Sequence, residues 1–299
     1  MWQYHFIKLV SQLVCLLPYS VILLLGKWAG GLYYLLAKKQ VNRALETIKE
    51  CLGLDEVQAR KIIYSMCQKL GKTFLEVLYI PNLNKENIQQ FVKIEHPEYL
   101  HQALAKGRGV VALAAHISNW EWLGAALALN NFPLTSMVKR QPNEQHTRIL
   151  TEYREMTGIE TFLSGTNDII AAARALKKGK VLGFIADQDA GPEGIFVPFL
   201  GKMASTPAGP AFFAKKFKAP IVPMFIVRCP EGGHKIIMQP AFYYEDTGNE
   251  AADMLAITAK MVKVTEDVIK QYPDNWLWFQ KRWNTPYKLK EAEGCEDKP

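Results

Sequence analysis

The stretch Gly109-Val-Val-Ala-Leu-Ala-Ala-His116-Ile-Ser-Asn-Trp-Glu121-Trp-Leu-Gly124 decides the fold of this 299-residue chain. Its first half is an apolar, β-branched run that is too short for a helix and follows a Gly-Arg-Gly turn, which predicts a fully buried strand. A helical pattern begins at about Trp120. His116 is therefore expected at the carboxyl end of a buried strand, where open α/β sheets bind their ligands.

Glu121 follows His116 by five residues. On one continuous helix the two side chains would be about 140° apart, so they meet only if the chain turns between strand and helix. With such a turn, Glu121 can orient the His116 ring. A structural interpretation also fits, because Ser118 and Glu121 have the spacing of a capping box with Ser118 as the N-cap. For His116 the corresponding alternative is a buried histidine with satisfied hydrogen bonds.

The composition indicates a well-packed protein with an anionic partner. Hydrophobic residues make up 49% of the chain, enough for one large domain or two small ones. The net charge of +7 fits nucleic acid, an anionic membrane or an acidic carrier protein. Nucleic acid is ranked last and is not expected as a partner, because the basic residues are scattered and form no known nucleic-acid module. Five scattered cysteines indicate a reducing compartment without a zinc site or a disulfide framework.

The first 40 residues are predicted to anchor the protein in a membrane. Residues 9–26 contain no charged side chain and are flanked by lysines. Eighteen residues is about the lower limit for crossing a bilayer, so the anchor either spans or is re-entrant. The basic residues that follow the anchor predict that the next domain lies on the cytoplasmic side. A buried hairpin of two core helices is the alternative.

The rest of the chain predicts one α/β domain over residues 41–287 and a polar, disordered tail over 288–299. Residues 41–78 are helical, with a capping box formed by Asp55 and Gln58. Strands and helices then alternate, which predicts a mixed β-sheet covered by helices on both faces. A short helix is expected at 98–105. The later expected strands are 134–138, 161–163, 181–186, 221–227 and 235–239, and the expected helices are 143–157, 168–178, 207–217 and 251–272.

Polar residues follow the predicted strands. Lys139-Arg140 follows one strand and Asp187-Gln188-Asp189 another, so parallel strands would bring them to the same edge as His116. The chain has no GxSxG elbow, Walker loop or GxGxxG sequence. A histidine with a carboxylate and no protein nucleophile suits general-base catalysis on a substrate hydroxyl. If Glu121 is only a cap, Asp187 or Asp189 is the alternative carboxylate.

A phosphate or oxyanion site is expected where a helix begins. Thr206 is the predicted N-cap of that helix, with Pro207 at its first position. Backbone amides at a helix start, together with the nearby cationic residues, can bind an anion.

The motifs resemble those of the bacterial lipid A biosynthesis acyltransferases, the late lauroyl and myristoyl transferases. The segment from His116 to Glu121 is similar to their HxxxxD/E signature. Further similar segments, in the same order, are Arg154-Glu-Met-Thr-Gly158, Asp187-Gln-Asp, Val197-Pro-Phe-Leu-Gly201, Ala204-Ser-Thr-Pro-Ala-Gly209 and Trp276-Leu-Trp-Phe-Gln-Lys-Arg-Trp283. The chain differs at Gln280, where the family has histidine, and Glu121 replaces the commoner aspartate.

This resemblance implies a glycerolipid acyltransferase-like fold and an acyltransferase activity. The implied catalytic residues are His116 and Glu121, and the implied substrate-binding residues are Asn119, Arg140, Arg154, Asp187, Gln188 and Thr206. The implied donor is an acyl carrier protein thioester, and the acceptor is a lipid A precursor at the cytoplasmic face of the inner membrane. No metal or diffusible cofactor is implied. Another glycolipid, such as a mannosylated phosphoinositide, or a lysophospholipid is the alternative acceptor, and a non-catalytic lipid-binding protein is the alternative class.

Overall fold

The computed structural model describes residues 2–138, 142–163 and 166–287, so the predicted disordered tail lies outside the described residues. Within these ranges the chain forms eleven α-helices and nine β-strands. The helices are α1 (Trp2–Cys15), α2 (Tyr19–Leu36), α3 (Lys38–Leu52), α4 (Glu56–Leu78), α5 (Ile88–Phe91), α6 (Glu98–Leu104), α7 (Trp120–Leu129), α8 (Glu144–Met156), α9 (Thr166–Lys177), α10 (Gly209–Phe217) and α11 (Glu250–Gln271). The strands are β1 (Val92–Glu95), β2 (Val110–Ala114), β3 (Leu134–Val138), β4 (Glu160–Leu163), β5 (Val181–Ile185), β6 (Ile195–Phe199), β7 (Lys202–Thr206), β8 (Ile221–Arg228) and β9 (His234–Met238).

The described strands form a mixed sheet of seven strands in the order β1-β9-β8-β2-β5-β3-β4. The pair β8–β9 is antiparallel, and the other neighbours are parallel. The strands β6 and β7 form a separate antiparallel hairpin. The central position of β2 explains why the quoted apolar run is buried along its whole length.

Helices cover both faces of the sheet. Successive side chains of β2 point to opposite faces, so their contacts show which helices lie on each side. Ala112 and Ala114 pack in a core cluster with residues of α6, α7 and α8. Val111 and Leu113 pack in another cluster with residues of α9, α10 and α11. The prediction of a mixed α/β sheet with helices on both faces is therefore confirmed.

Most predicted elements agree with the structure to within one or two residues, but one predicted helix start is wrong and two features were missed. The predicted helix at 207–217 begins at Gly209 with Ala208 as N-cap, because Thr206 still pairs with Ile195 in the β6–β7 hairpin. The hairpin itself and strand β1 were not predicted. The capping box of Asp55 and Gln58 at the start of α4 is confirmed.

The uncharged run at the N-terminus is not one helix. Pro18 lies between α1 and α2 as the N-cap of α2, and a proline has no amide hydrogen to continue the α1 ladder. Among the described residues, α2 is the one helix with the length and composition to cross a membrane, a test that core helices and signal sequences also pass.

Glycines bring α2 against α4 at backbone distance. A Cβ atom on Gly30 would overlap the carbonyl oxygen of Cys67, and one on Gly71 would overlap the carbonyl oxygen of Gly26. A Cβ on Gly26 would lie 2.6 Å from the Cα of Lys72. Small residues at such an interface allow close helix packing.

The close contact predicts a matched pair of substitutions in α2. Gly30→Ala should lower the free energy of unfolding by about 1–3 kcal/mol, the usual cost of overpacking. Gly31→Ala should leave stability unchanged or raise it, because its nearest neighbour, the Tyr64 Oη, would be 3.9 Å from the new Cβ and alanine favours helices. Thermal unfolding of both variants in the same detergent measures the difference. Equal melting temperatures would contradict the proposed contact.

Candidate active site

The His116 ring is held by Asp187, which follows the neighbouring strand. The parallel register pairs Ala114 of β2 with Ile185 of β5, so the residues that follow both strands meet at one edge of the sheet. The Nδ1 atom of His116 lies 2.7 Å from Asp187 Oδ1, and the His116 amide donates to Asp187 Oδ2 at 2.9 Å. A carboxylate accepts, so Nδ1 carries the hydrogen and Nε2 has a lone pair available for a proton.

Asp187 is buried and accepts hydrogen bonds from several sides. Its Oδ2 also accepts from Trp276 Nε1 at 2.7 Å and from Gln280 Nε2 at 2.9 Å. Burial alone would raise the pKa of this carboxyl, but His116 and these donors outweigh burial and hold the pKa well below its usual range. Gln280, the position at which the sequence departs from the family pattern, thus supplies a donor to the carboxylate.

The ionised Asp187 determines the basicity of His116. Burial lowers the pKa of the imidazolium, but the charge and hydrogen bond of Asp187 outweigh it, so the pKa lies above its ordinary value. The charge of Glu121 acts in the same direction. Nε2 is therefore a stronger base than in a free histidine.

The expectation that Glu121 contacts His116 directly is wrong. Its two oxygens accept a bidentate pair from Arg154, at 2.8 Å from Nε and 2.6 Å from Nη2. The capping-box interpretation is also wrong, because Ser118 turns through a left-handed conformation with φ 50° and its N–H donates to the Asn275 carbonyl. The charge of Glu121 still reaches His116 through space, and its catalytic role stays a prediction.

Asn119, predicted to bind substrate, is the buried N-cap of α7. Its Oδ1 accepts from the Trp122 amide at 3.1 Å, and its Nδ2 donates to Glu76 Oε2 at 3.0 Å. Glu76 is buried and forms a bidentate pair with Arg228, at 2.8 and 2.7 Å. Asn119 and Asp187 are both buried, and their predicted contact with a substrate stays a prediction. They position α7 and His116.

The other predicted site residues have different environments. Gln188 is exposed, and its Nε2 lies 3.4 Å from His116 Nε2, which suits contact with a substrate. Arg154 lies in a cavity wall beside Glu121. Thr206 is buried and its hydroxyl accepts from Arg282. It is not the predicted N-cap, because α10 begins at Gly209. Arg140 lies outside the described residues.

Two cavities lie near the histidine. The larger has a volume of about 50 Å³ and lies between the sheet and α7, with Glu121 and Arg154 in its wall. The smaller, of about 10 Å³, is lined by His116, Ser118 and residues of α4. Trp120 lines both cavities, and its ring centroid lies 4.7 Å from that of His116. Trp120 thus lies between the histidine and the larger cavity, whose wall is mostly apolar.

Sequence reasoning did not identify Glu76 and Arg228, and it gave Trp276 no role beyond its place in the C-terminal segment that resembles the family. Each is far from His116 along the chain, and no local spacing pattern links them. Asp187 was considered as the partner of His116 only if Glu121 proved to be a cap. The usable signal was the position of Asp187 after a strand that neighbours β2.

Known proteins similar to this chain act on lipids. The family model for bacterial lipid A biosynthesis acyltransferase matches residues 1–285. A phosphatidylinositol mannoside acyltransferase of Mycolicibacterium smegmatis is 28% identical over 225 residues, which are 74% of this chain and 72% of the relative. A lipid A biosynthesis lauroyltransferase of Escherichia coli is 26% identical, over 92% of this chain and 89% of the relative. A palmitoleoyltransferase of the same organism is 24% identical, over 90% and 87%.

Removing the Asp187 charge should lower the pKa of His116. In Asp187→Asn burial is left as the main influence, so the pKa should fall below the ordinary value of about 6.5. Glu121→Gln should lower it less, because the hydrogen bond from Nδ1 remains. NMR titration of the imidazole nitrogens measures both. An unchanged His116 pKa in Asp187→Asn would contradict the assignment.

The raised pKa of His116 also determines the direction in which the stability of the fold changes with pH. A raised folded-state pKa means that the protonated ring stabilises the fold fully below the unfolded pKa of about 6.5. This contribution is lost as the pH rises through the folded-state pKa of His116. It should be absent in Asp187→Asn over the same pH range.

Proposed function

The chain belongs to the bacterial lipid A biosynthesis acyltransferase family and is an acyltransferase, and from this premise we propose that it moves a fatty acyl chain from an acyl carrier protein thioester to a hydroxyl of a lipid A precursor. The observation that carries the proposal is the His116–Asp187 pair beside an apolar cavity. A thioester transfer needs an activated hydroxyl, a stabilised oxyanion and a place for the acyl chain. The non-catalytic alternative does not agree with the family.

His116 acts as the general base. Its Nε2 takes the proton of the acceptor hydroxyl while the hydroxyl oxygen attacks the thioester carbonyl carbon. The tetrahedral intermediate then collapses, the carbon–sulfur bond breaks, and the imidazolium returns the proton to the leaving thiolate. Asp187 stabilises the imidazolium that exists between these two steps and keeps the ring in the reactive tautomer.

Gln188 and the Glu121–Arg154 pair have supporting roles. The exposed amide of Gln188, 3.4 Å from His116 Nε2, can donate to the acceptor oxygen or to the developing oxyanion. Arg154 holds Glu121 in the cavity wall, where its negative charge also favours the imidazolium. Glu121 is bonded to Nε and Nη2 of Arg154. We retain the prediction that Arg154 binds an anionic group of the substrate, through its remaining guanidinium nitrogen.

The large cavity holds the acyl chain. Its wall includes Ala112, Leu127, Leu134 and Met224, which are apolar. Each methylene moved from water into such a cavity contributes about 0.8 kcal/mol. Chain-length preference then follows from where the cavity ends.

The family and the charge support the proposed acceptor and location. A lipid A precursor is a membrane glycolipid, so we place the enzyme on the inner membrane with its catalytic domain, residues 41–287, in the cytoplasm and residues 1–40 as the anchor. The positive net charge of +7 suits both anionic lipid and an acidic carrier protein. The mycobacterial relative keeps a mannosylated phosphoinositide as the alternative acceptor. The expected absence of a metal or diffusible cofactor stays a prediction.

Lipid mass spectrometry tests the proposed reaction. The purified chain is incubated with acyl carrier protein thioesters and, in parallel, a lipid A precursor, a mannosylated phosphoinositide and a lysophospholipid. The expected product is the lipid A precursor with one added acyl chain. His116→Ala should reduce its rate by about 10² to 10⁴, and Asp187→Asn should also reduce it strongly, in protein that keeps its circular dichroism. Acylation of another acceptor alone would replace the proposed substrate, and normal turnover in folded His116→Ala would remove the base.

Filling the cavity should shorten the preferred acyl chain. Gly183 pairs with Ala112 and with Ser136, and all three line the cavity, so a side chain at position 183 would point into it. A Cβ there makes ordinary contacts, at 3.4 Å or more. Gly183→Leu should therefore lower kcat/KM for long donors while short donors keep theirs, and Gly183→Ala should do so less. Gly31→Ala, outside the cavity, is the control. An equal loss for all donor lengths would contradict the cavity assignment.

A further inference from the structure

We propose that α1 and α2 form a monotopic anchor that lies in the plane of an anionic bilayer, within one leaflet, and does not cross it. The proposal rests on the membrane association stated above and concerns its geometry. The exposed apolar side chains of both helices would enter the boundary between head groups and acyl chains. The occupant of this surface is a phospholipid leaflet.

Lys27 is the first observation. It is exposed and lies at the middle of α2, the described helix with the composition of a membrane span. If α2 crossed a bilayer, this ammonium group would be at the centre of the hydrocarbon, where a lysine is strongly unfavourable. If α2 lies in the plane of the surface, the long side chain reaches the head groups.

The attachment of α2 to α4 is the second observation. The two helices run antiparallel, with Tyr19 bonded to Glu76 at one end and Tyr34 against Tyr64 at the other. The glycine contacts fix the middle of the pair at backbone distance. α4 carries charged residues along its length, so it cannot accompany α2 into hydrocarbon. They are Glu56, Arg60, Lys61, Lys69, Lys72 and Glu76.

α1 is attached to the domain by polar contacts. Lys8 pairs with Glu152 of α8 at 2.6 Å, and Tyr4 donates to the same carboxylate at 2.7 Å. The Ser11 hydroxyl donates to the carbonyl of Leu78. A spanning α2 would carry α1 to the far side of the bilayer and break all of these contacts.

The exposed faces of the two helices are apolar. On α1 the exposed apolar side chains recur every three or four residues, at Trp2, Phe6, Leu9 and Leu13, and Leu16 continues the row after the helix; His5 and Gln12 are the exposed polar side chains of α1. This spacing puts the apolar side chains on one face of the helix, opposite the buried Ser11 and Val14. Exposed apolar stripes of this kind identify a membrane or protein partner.

On α2 the exposed stripe includes Leu25, Trp28, Leu32 and Leu36, while Ile22, Gly26 and Gly30 face the domain. Helix α2 therefore has a domain face and a free apolar face along its whole length, as an in-plane helix requires.

The positive charge in and after α2 favours an anionic lipid surface as the partner. Lys38, Lys39 and Arg43 are exposed directly after α2, and Lys27 is exposed within it. Basic residues beside an apolar helix face bind anionic head groups. A second copy of the chain would bring the same positive charges together, so a self-interface is disfavoured.

Labelling from one side of a sealed vesicle separates the two geometries. The full chain, with its native cysteines replaced, is bound to preformed vesicles of phosphatidylglycerol and phosphatidylethanolamine. Gln12→Cys reports the end of α1, and Lys39→Cys reports the start of the catalytic domain; both positions are exposed. An impermeant maleimide should label both from outside at similar rates. Labelling of Gln12→Cys only after the vesicles are lysed would overturn the in-plane geometry and leave membrane association intact.

The depth of Trp28 gives an independent measurement. Trp28 is 71% exposed in the protein and adjoins Lys27. Its fluorescence should be quenched more by lipids brominated near the head group than by lipids brominated near the chain end, with Trp28→Phe defining its share of the signal. Stronger quenching by the deep bromine would overturn the proposal.

Charge variants complete the test. Lys27→Leu should weaken binding to the anionic vesicles about fivefold, the effect of about 1 kcal/mol per basic residue near such a surface. Lys178→Leu, an exposed lysine before β5, should not. Tighter membrane binding by Lys27→Leu would overturn the proposal in favour of a span. If the wild type does not bind vesicles and the exposed apolar stripes are buried in a dimer, the anchor itself is overturned. The proposed acylation is tested separately, on detergent-dispersed lipid.

Discussion

The buried contact between Asp187 and His116 is the constraint on which the site depends. An ionised carboxylate is costly to bury unless hydrogen bonds and an opposite charge compensate it. Here the compensation comes from three parts of the chain: the end of β2, the residue after β5, and the segment that contains Trp276 and Gln280. The C-terminal segment therefore has to fold back over the sheet edge before the histidine has its working tautomer.

A second buried ion pair, between Glu76 and Arg228, is bonded to Asn119, the N-cap of helix α7. The Glu76–Arg228 pair is buried, and Glu76 also accepts from Tyr19 and from Asn119. Removing one partner of such a pair leaves an uncompensated charge, which is why buried pairs hold the surrounding elements in one arrangement. Through Tyr19 the first residue of α2 belongs to the same cluster as the N-cap of α7. Helix α2 and the turn that follows His116 are thus parts of one packed unit among the described residues.

In the proposed reaction the acyl chain and the attacking hydroxyl require different environments, which lie on different sides of the sheet edge. The mostly apolar cavity under α7 suits an acyl chain, whereas the end of β2 carries the polar side chain of His116, with the exposed amide of Gln188 beside it. Helix α4 has α2 packed along it and the smaller cavity beside it. An in-plane anchor would hold this side of the protein against the leaflet that contains a lipid acceptor. Binding energy from the anchor then serves to concentrate enzyme and acceptor in two dimensions.

The sequence alone determined the fold class, because the alternation of strands and helices and the buried run at 110–114 are local patterns with one physical interpretation. It also determined that His116 lies at the carboxyl end of that strand. It did not determine the partner of His116: Glu121 is near in sequence, but the turn at Ser118 directs it to Arg154, 33 residues away, and the parallel pairing of β2 with β5 brings in Asp187, 71 residues away. The anchor shows the same division. Composition identified the apolar run, but the helix bounds showed that Pro18 divides it and that Lys27 lies at the centre of the second helix. Only the tertiary structure showed that α2 packs on α4, because hydrophobicity is a property of residues and helix contact is a property of the folded chain.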